Sequence, residues 1–421
     1  MVKNFLIGCI CLLSLSAYAQ NGTVSPYSYF GIGDFRSGGT VENQMMGGLR
    51  MYADSIHVNL RNPGAYSKLR LTTYTAGISH RELRLKDANE QQNLSVTNLD
   101  YLAIGFPIAK NAGIGFGLMP FSSVGYSLNQ QTLNAAQDTV TNVFAGEGGL
   151  NRAYLSIGFE PIKDLSLGAT INFNFGSLLY QRIQSVENVQ LGTLDDRESK
   201  INGFDFNYAL NYTPTIKDRY TLYTHLGVNT QVNLVSKNSE RIGSFSLSNG
   251  AEVEVIDVDL AAQGLLNTEL KIPTITTVGL GFGENKKWFV GGEYSFQKFS
   301  EFRNDFLAQE NVVFEDASVM ALGTYFIPDY RSISGYLNRI TYRAGLRYEQ
   351  TGLMVNNKEI NNLGITFGFG LPLGTSFSNL NLGFELGRRG TTDAGLVEES
   401  YFKVNVGLSL NDKWFVKRKI N

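Results

Sequence analysis

The sequence is short of cysteine, histidine and charge. Of its 421 residues, two are Cys and three are His. Cys9 and Cys11 both fall within residues 1–19, where a basic start at Lys3 leads into an apolar run over 5–13 and ends in Ala17-Tyr18-Ala19. That is the pattern of a secretory signal peptide, cleaved before Gln20. The rival, a lipoprotein signal ending at Leu6-Ile7-Gly8-Cys9, leaves only about three apolar residues where an h-region uses ~7–15. The exported chain then has no thiol, which excludes a disulfide framework and thiol catalysis. Charged residues reach 18%, against roughly 25% in soluble proteins. A net charge of −2 gives no basic field for nucleic acid. No H-E-x-x-H, P-loop or G-x-S-x-G occurs, so no metal, cofactor or catalytic site is expected. His57, His80 and His225 leave one enzyme alternative, a hydrolase whose triad is assembled across strands. Beyond the signal no run of 18 apolar residues exists, so no transmembrane helix is expected.

What the sequence does have is glycine (45 residues), aromatics (12%) and period-two alternation. Leu165, Leu167, Ala169, Ile171, Phe173 and Phe175 interleave with Ser166, Gly168, Thr170, Asn172, Asn174 and Gly176. Stretches of the same kind begin at Ile340, Leu363 and Phe402. One apolar and one polar face is the signature of an amphipathic strand. These stretches run to about 12–15 residues, longer than the ~5–6 of sandwich strands and enough to cross a bilayer at a tilt. Gly113-Ile114-Gly115-Phe116-Gly117 lies inside such a strand and reads as small inward residues rather than a dinucleotide loop.

The turns divide into two kinds. Gly105-Phe106-Pro107-Ile108-Ala109-Lys110-Asn111 resembles Gly158-Phe159-Glu160-Pro161-Ile162-Lys163-Asp164, and both are short. The intervening connections, near 81–96, 128–146, 181–199, 237–271, 303–313 and 390–400, read as long polar loops. Short turns at one rim and long loops at the other mark a transmembrane antiparallel β-barrel. Counting rim to rim gives about fourteen strands over residues 67–411, all-β, followed by a short tail at 412–421. Residues 237–271 are either loop or additional strands, so twelve to sixteen strands are allowed. With the apolar face toward lipid, the lumen receives Arg152, Asp205, Glu293, Arg343, Arg347 and Glu385 as lining candidates. Residues 20–66 show little alternation, many glycines and several charges, and read as a plug inside the lumen, with a mobile periplasmic tail as the alternative. They are too short for an independent core.

Two local features stand out. Asn62-Pro63-Gly64 joins the N-terminal region to the first strand as a turn in which Gly64 permits positive φ. Pro120 interrupts the third strand, where a missing ladder donor implies a bulge or a local opening, a candidate lateral gate. These features, in this order, resemble the FadL family of outer-membrane transporters for long-chain fatty acids and other hydrophobic compounds. Asn62-Pro63 matches that family's N-P-A motif, and Gly64 departs from its alanine. The opening Ser25-Pro26-Tyr27-Ser28-Tyr29-Phe30-Gly31-Ile32-Gly33-Asp34 also looks like the start of many Bacteroidota outer-membrane proteins.

The resemblance implies a monomeric channel in the cell outer membrane. It would take up a hydrophobic small-molecule ligand passively, shift an N-terminal hatch, and release cargo to the outer-membrane lipids through a kinked third strand. The alternatives are a barrel without transport, acting as a scaffold for a secretion or surface protein partner, and a general porin.

Overall fold

The computed structural model describes residues 22–36, 38–307, 312–374 and 377–414. The signal-peptide reading (1–19) and most of the C-terminal tail lie outside them.

The chain forms one closed antiparallel barrel of fourteen strands. They are β1 (Thr72–Lys86), β2 (Gln91–Ala109), β3 (Ala112–Leu133), β4 (Thr139–Ile162), β5 (Leu165–Val186) and β6 (Leu191–Tyr212). β7 (Tyr220–Asn229, continuing as Val232–Ser246) and β8 (Asn267–Ile272, continuing as Ile275–Glu284) each break once. Pro273 causes the break in β8, because it has no N–H for the ladder. Beside it the Gln231 N–H donates to Thr274 Oγ1 at 2.9 Å. Then follow β9 (Trp288–Gln297), β10 (Ala317–Phe326), β11 (Thr341–Val355), β12 (Lys358–Pro372), β13 (Asn379–Arg389) and β14 (Glu398–Asp412). β14 closes on β1 along its whole length, from Thr72 opposite Asp412 to Lys86 opposite Glu398.

Burial fixes which face looks where. On β5, Asn172 and Asn174 are 3% and 0% exposed, whereas Ile171 and Phe173 are 40% and 37% exposed. A soluble sheet would do the reverse. An apolar outer face with a polar, enclosed inner face is the arrangement of a barrel solvated by lipid. The apolar outer residues of β6 run from Tyr212 through Leu210, Tyr208 and Phe206 to Phe204 and give way to Asn202 and Lys200. That is about nine residues, the length a tilted strand needs to cross hydrocarbon.

The strands do not stop there. β3 to β6 are 22 to 24 residues long, roughly 70–80 Å at ~3.3 Å per residue. Three regions that read as long loops, 81–96, 128–146 and 181–199, are therefore mostly strand, closed by connections at 87–90, 134–138 and 187–190. There the outward face turns polar, as at Glu82, Arg84 and Lys86, while buried apolar residues such as Leu83, Leu85 and Val96 lie inward, so the lipid-facing pattern is lost although the backbone ladder continues. Residues 237–271 contain a hairpin in which Glu252–Asp257 folds back on Arg241–Phe245 of β7. It adds no strand to the barrel.

The hydrophobic core lies between the N-terminal segment and the inner wall. Met46, Leu49 and Met51 pack with Tyr223, Phe289 and Tyr325. Val41, Met45, Val58, Leu60 and Tyr66 pack with Tyr101, Met119 and Tyr154. Ile32 joins Val124, Leu150, Leu178 and Leu234. The segment holds little regular structure: a turn of helix α1 (Val41–Gln44), two 3-10 turns (Pro26–Tyr29 and Pro63–Lys68) and a two-residue strand, Asp34–Phe35.

Candidate functional site

The N-terminal segment is tied to inward side chains around the ring. Glu42 Oε1 accepts from Asn381 Nδ2 of β13 at 2.7 Å and from Ser409 Oγ of β14 at 2.9 Å. The N–H groups of Arg50 and Met51 donate to Glu293 Oε1 of β9 at 2.6 and 2.5 Å. Tyr66 OH donates to Tyr154 OH of β4 at 3.1 Å, and Ser67 Oγ to Ser166 Oγ of β5 at 3.0 Å. Gly47, at φ +69°, lies so close to the wall that a Cβ would stand 2.6 Å from Leu322 O and 2.8 Å from Leu346 O. Only glycine fits that approach.

Asn62, Pro63 and Gly64 sit at the foot of this arrangement. Pro63 opens a 3-10 turn for which Asn62 is the cap residue, a position where its missing N–H costs nothing. Asn62 is fully buried. Its amide pairs reciprocally with that of Asn211 on β6: each Nδ2 donates to the other's Oδ1 at 3.0 Å. Gly64 is absent from the positive-φ positions, so the turn does not require glycine for its backbone angle. The reason is steric instead, because a Cβ at 64 would overlap Asn211 Nδ2.

Four of the six lumen candidates, Arg152, Glu293, Arg347 and Glu385, line an interior cavity of about 390 Å³. Arg152 donates to Asp205 Oδ2 at 2.7 Å and to Asn174 Oδ1 at 2.8 Å, and Asn172 and Asn174 complete the shell of Asp205. Arg347 donates to Glu385 Oε1 at 2.7 Å. Asp205 does not line the cavity but anchors Arg152 from behind. Arg343 is buried elsewhere, donating to Asn381 Oδ1 at 3.2 Å. The cavity has an aromatic portion with Phe30, Phe296, Phe299 and Phe314, and eight Arg or Lys side chains against five carboxylates.

Pro120 stands at a break in the wall. β3 pairs with β2 only as far as Leu118, opposite Leu102. Above that point β3 keeps its ladder with β4 but has lost β2, and there Pro120 faces Asn151 while Ser122 faces Leu150. Phe121 is thus a bulge, and the Arg152 guanidinium lies over its ring at 4.1 Å. An outer groove of about 660 Å³ opens between the parted strands. Arg36, Met119 and Pro120 line both the groove and the cavity.

The free edge of β3 is covered from within. Asp34 and Phe35 pair with Ser123 and Ser122, and the Arg36 N–H donates to Phe121 O at 2.9 Å. Asp34 accepts from Arg389 Nη1 at 2.6 Å. Burial pushes the Asp34 carboxyl up, but Arg389 outweighs it and holds the group below the usual carboxylate range. Nearby, Tyr27 OH donates to Val397 O at 2.6 Å, and burial drives its phenol up to about 12. Sequence reasoning missed this latch. The only signal was an aromatic residue between two opposite charges, Asp34-Phe35-Arg36, in a glycine-rich stretch.

The histidines are dispersed. His57 meets Asp54 at 2.6 Å, His80 meets Thr97 at 2.8 Å and His225 meets Asn211 at 2.7 Å. None of these partners is a serine. Among the described residues no group of three or more His, Cys, Asp or Glu could hold a metal ion.

The sequence matches the BamG family model over residues 1–421. The chain belongs to the BamG family. No curated relative matches this BamG-family chain. Its solved structural neighbours are remote in sequence. The Pseudomonas putida toluene transporter TodX aligns at 17% identity and TM-score 0.59, covering 89% of this chain and 98% of its own. The Ralstonia pickettii toluene transporter TbuX aligns at 13% identity and TM-score 0.57, with 89% and 98% covered. A Pseudomonas aeruginosa FadL homologue aligns at 11% identity and TM-score 0.53, with 93% and 99% covered. At such identities the likeness is one of fold: this BamG-family chain has the barrel of the FadL-type transporters.

Proposed function

We propose that this chain is an outer-membrane channel for passive uptake of hydrophobic small molecules carrying an acidic head, such as long-chain fatty acids. The observation that carries the reading is the parting of β2 from β3 at Pro120, where one set of residues borders both the interior cavity and an outer groove. Cargo enters from the rim opposite the short turns, the N-terminal segment acts as a hatch, and the cargo leaves sideways into the bilayer. The excess of cations around the cavity suits a carboxylate better than a neutral hydrocarbon. The exit runs downhill, since burying about fifteen methylenes in lipid is worth roughly 12 kcal/mol at ~0.8 kcal/mol each. A cavity lined by both apolar and well-placed polar groups is the usual form of a ligand site.

The test is uptake of a radiolabelled C16 fatty acid by cells with and without the gene. Loss of most uptake on deletion, restored by the intact gene, supports the reading. Unchanged uptake refutes it. A scaffold role is the second reading, favoured by the wall that rises beyond the lipid band on β3 to β7. It predicts a stably associated protein and no dependence of uptake on Pro120. A general porin is disfavoured by the contacts of residues 22–71 around the inner wall.

A further inference from the structure

The hairpin strand Glu252–Asp257 is an open edge. It pairs on one side with Arg241–Phe245 of β7, which in turn pairs with Gly192–Asp196 of β6. Among the described residues, no pairing occupies its other side. All six residues are exposed, with Val253 at 59% and Ile256 at 58%. A strand edge with free N–H and C=O groups is a template for another strand, and proteins normally blunt it with lysine, proline or a cover. This edge carries valine and isoleucine between carboxylates instead.

Charge decides what fits. Glu252 and Asp257 point to one face and Glu254 to the other, set by their partners Phe245, Arg241 and Ser244. Arg241 is already engaged, 3.4 Å from Asp196 and 3.5 Å from Glu252. A second copy of this strand would bring three carboxylates against three, which is destabilising for directly opposed pairs. A strand with Lys or Arg opposite Glu252 and Asp257, which share a face, and aliphatic residues at the positions between would satisfy backbone and side chains together. We propose that Glu252–Asp257 is a docking edge for an extended segment of another polypeptide, basic at alternate positions, which adds to the sheet beyond β7. This stands independently of transport, since none of its residues lines the cavity.

The probe is a fluorescein-labelled peptide alternating Lys and Val over seven residues, titrated into the full-length barrel in detergent and read by anisotropy. Saturable binding is expected, at least tenfold weaker for the Glu252→Lys/Asp257→Lys variant. An alternating Glu and Val peptide should reverse that order, preferring the variant. A Lys and Val peptide of equal charge with a central proline should bind at least tenfold more weakly, because it cannot form the ladder. Absence of saturable binding would mean that the carboxylates serve only to keep the edge unpaired, and the proposal would be wrong. Equal binding of the proline peptide, or of the charge-reversed variant, would reduce the effect to unspecific attraction and overturn it equally.

Discussion

The latch at the wall opening can be locked by a covalent bond. Phe35 and Ser122 are register partners, and such partners stand about 4.5–5.5 Å apart at Cα, within the ~4.4–6.8 Å of a disulfide. The described chain contains no cysteine, so Phe35→Cys with Ser122→Cys introduces a single possible bridge. Opening the latch breaks the short ladder, the Arg36 bond to Phe121 and the Asp34–Arg389 ion pair. Neutral bonds are worth ~0.5–1.5 kcal/mol each and charged ones ~1.5–3. Returned chain entropy offsets part of that sum, leaving about 3–5 kcal/mol. At ~1.4 kcal/mol per decade, the open fraction is roughly 10⁻² to 10⁻⁴. The bridge removes even that population. In fatty-acid uptake measurements, the oxidised variant should fall to the level of the deletion strain and recover on adding a reductant. Uptake that is indifferent to the redox state would show that cargo does not pass the Asp34–Phe35 latch.

Three other outcomes are expected. Gly64→Ala should loosen residues 59–68 by about 2–4 kcal/mol, since it displaces the buried Asn62–Asn211 pair. Measured by hydrogen exchange, its combination with Asn211→Ser should be much less than additive, and strict additivity would contradict the steric account. Pro120→Val restores a ladder donor beside the bulge and should reduce uptake several-fold with little change in stability; full uptake would remove the lateral exit. For His57, burial pulls the imidazole down, but Asp54 at 2.6 Å and Glu42 at 3.6 Å outweigh it and raise it above its ordinary value. Its stabilisation is therefore complete below the unfolded value of ~6.5 and fades as pH rises through the folded one. Melting temperature followed from pH 6 upward should decline in the native chain and be flatter in His57→Gln, and parallel curves would refute the assignment.

The barrel was legible because lipid reverses the usual rule. Ile171 and Phe173 against Asn172 and Asn174 spell out two faces wherever hydrocarbon touches one of them. The same strand loses that script near Gln181–Ser185, where water wets both faces, so 181–199 reads as loop although its ladder runs on. Pro120 was readable because proline has one effect on a ladder wherever it falls. Arg152 and Asp205 were each readable as inward residues, but their partnership depends on the registers of β4, β5 and β6, which alternation does not encode. Gly64 invited an explanation from backbone angle, whereas the cause is Asn211, nearly 150 residues away in sequence. Asp34–Phe35 is too short to have a period at all.

The packing of the N-terminal segment also constrains biogenesis. Residues 22–71 leave the ribosome before any barrel strand, yet they supply one side of each main interior cluster. The seam between β1 and β14 joins the two ends of the barrel sequence and requires the last strand to be made. A bulky segment bonded to opposite walls cannot be threaded into a finished ring. The sheet is expected to curl around it before β14 meets β1. Deleting residues 22–71 should therefore impair closure of the barrel itself.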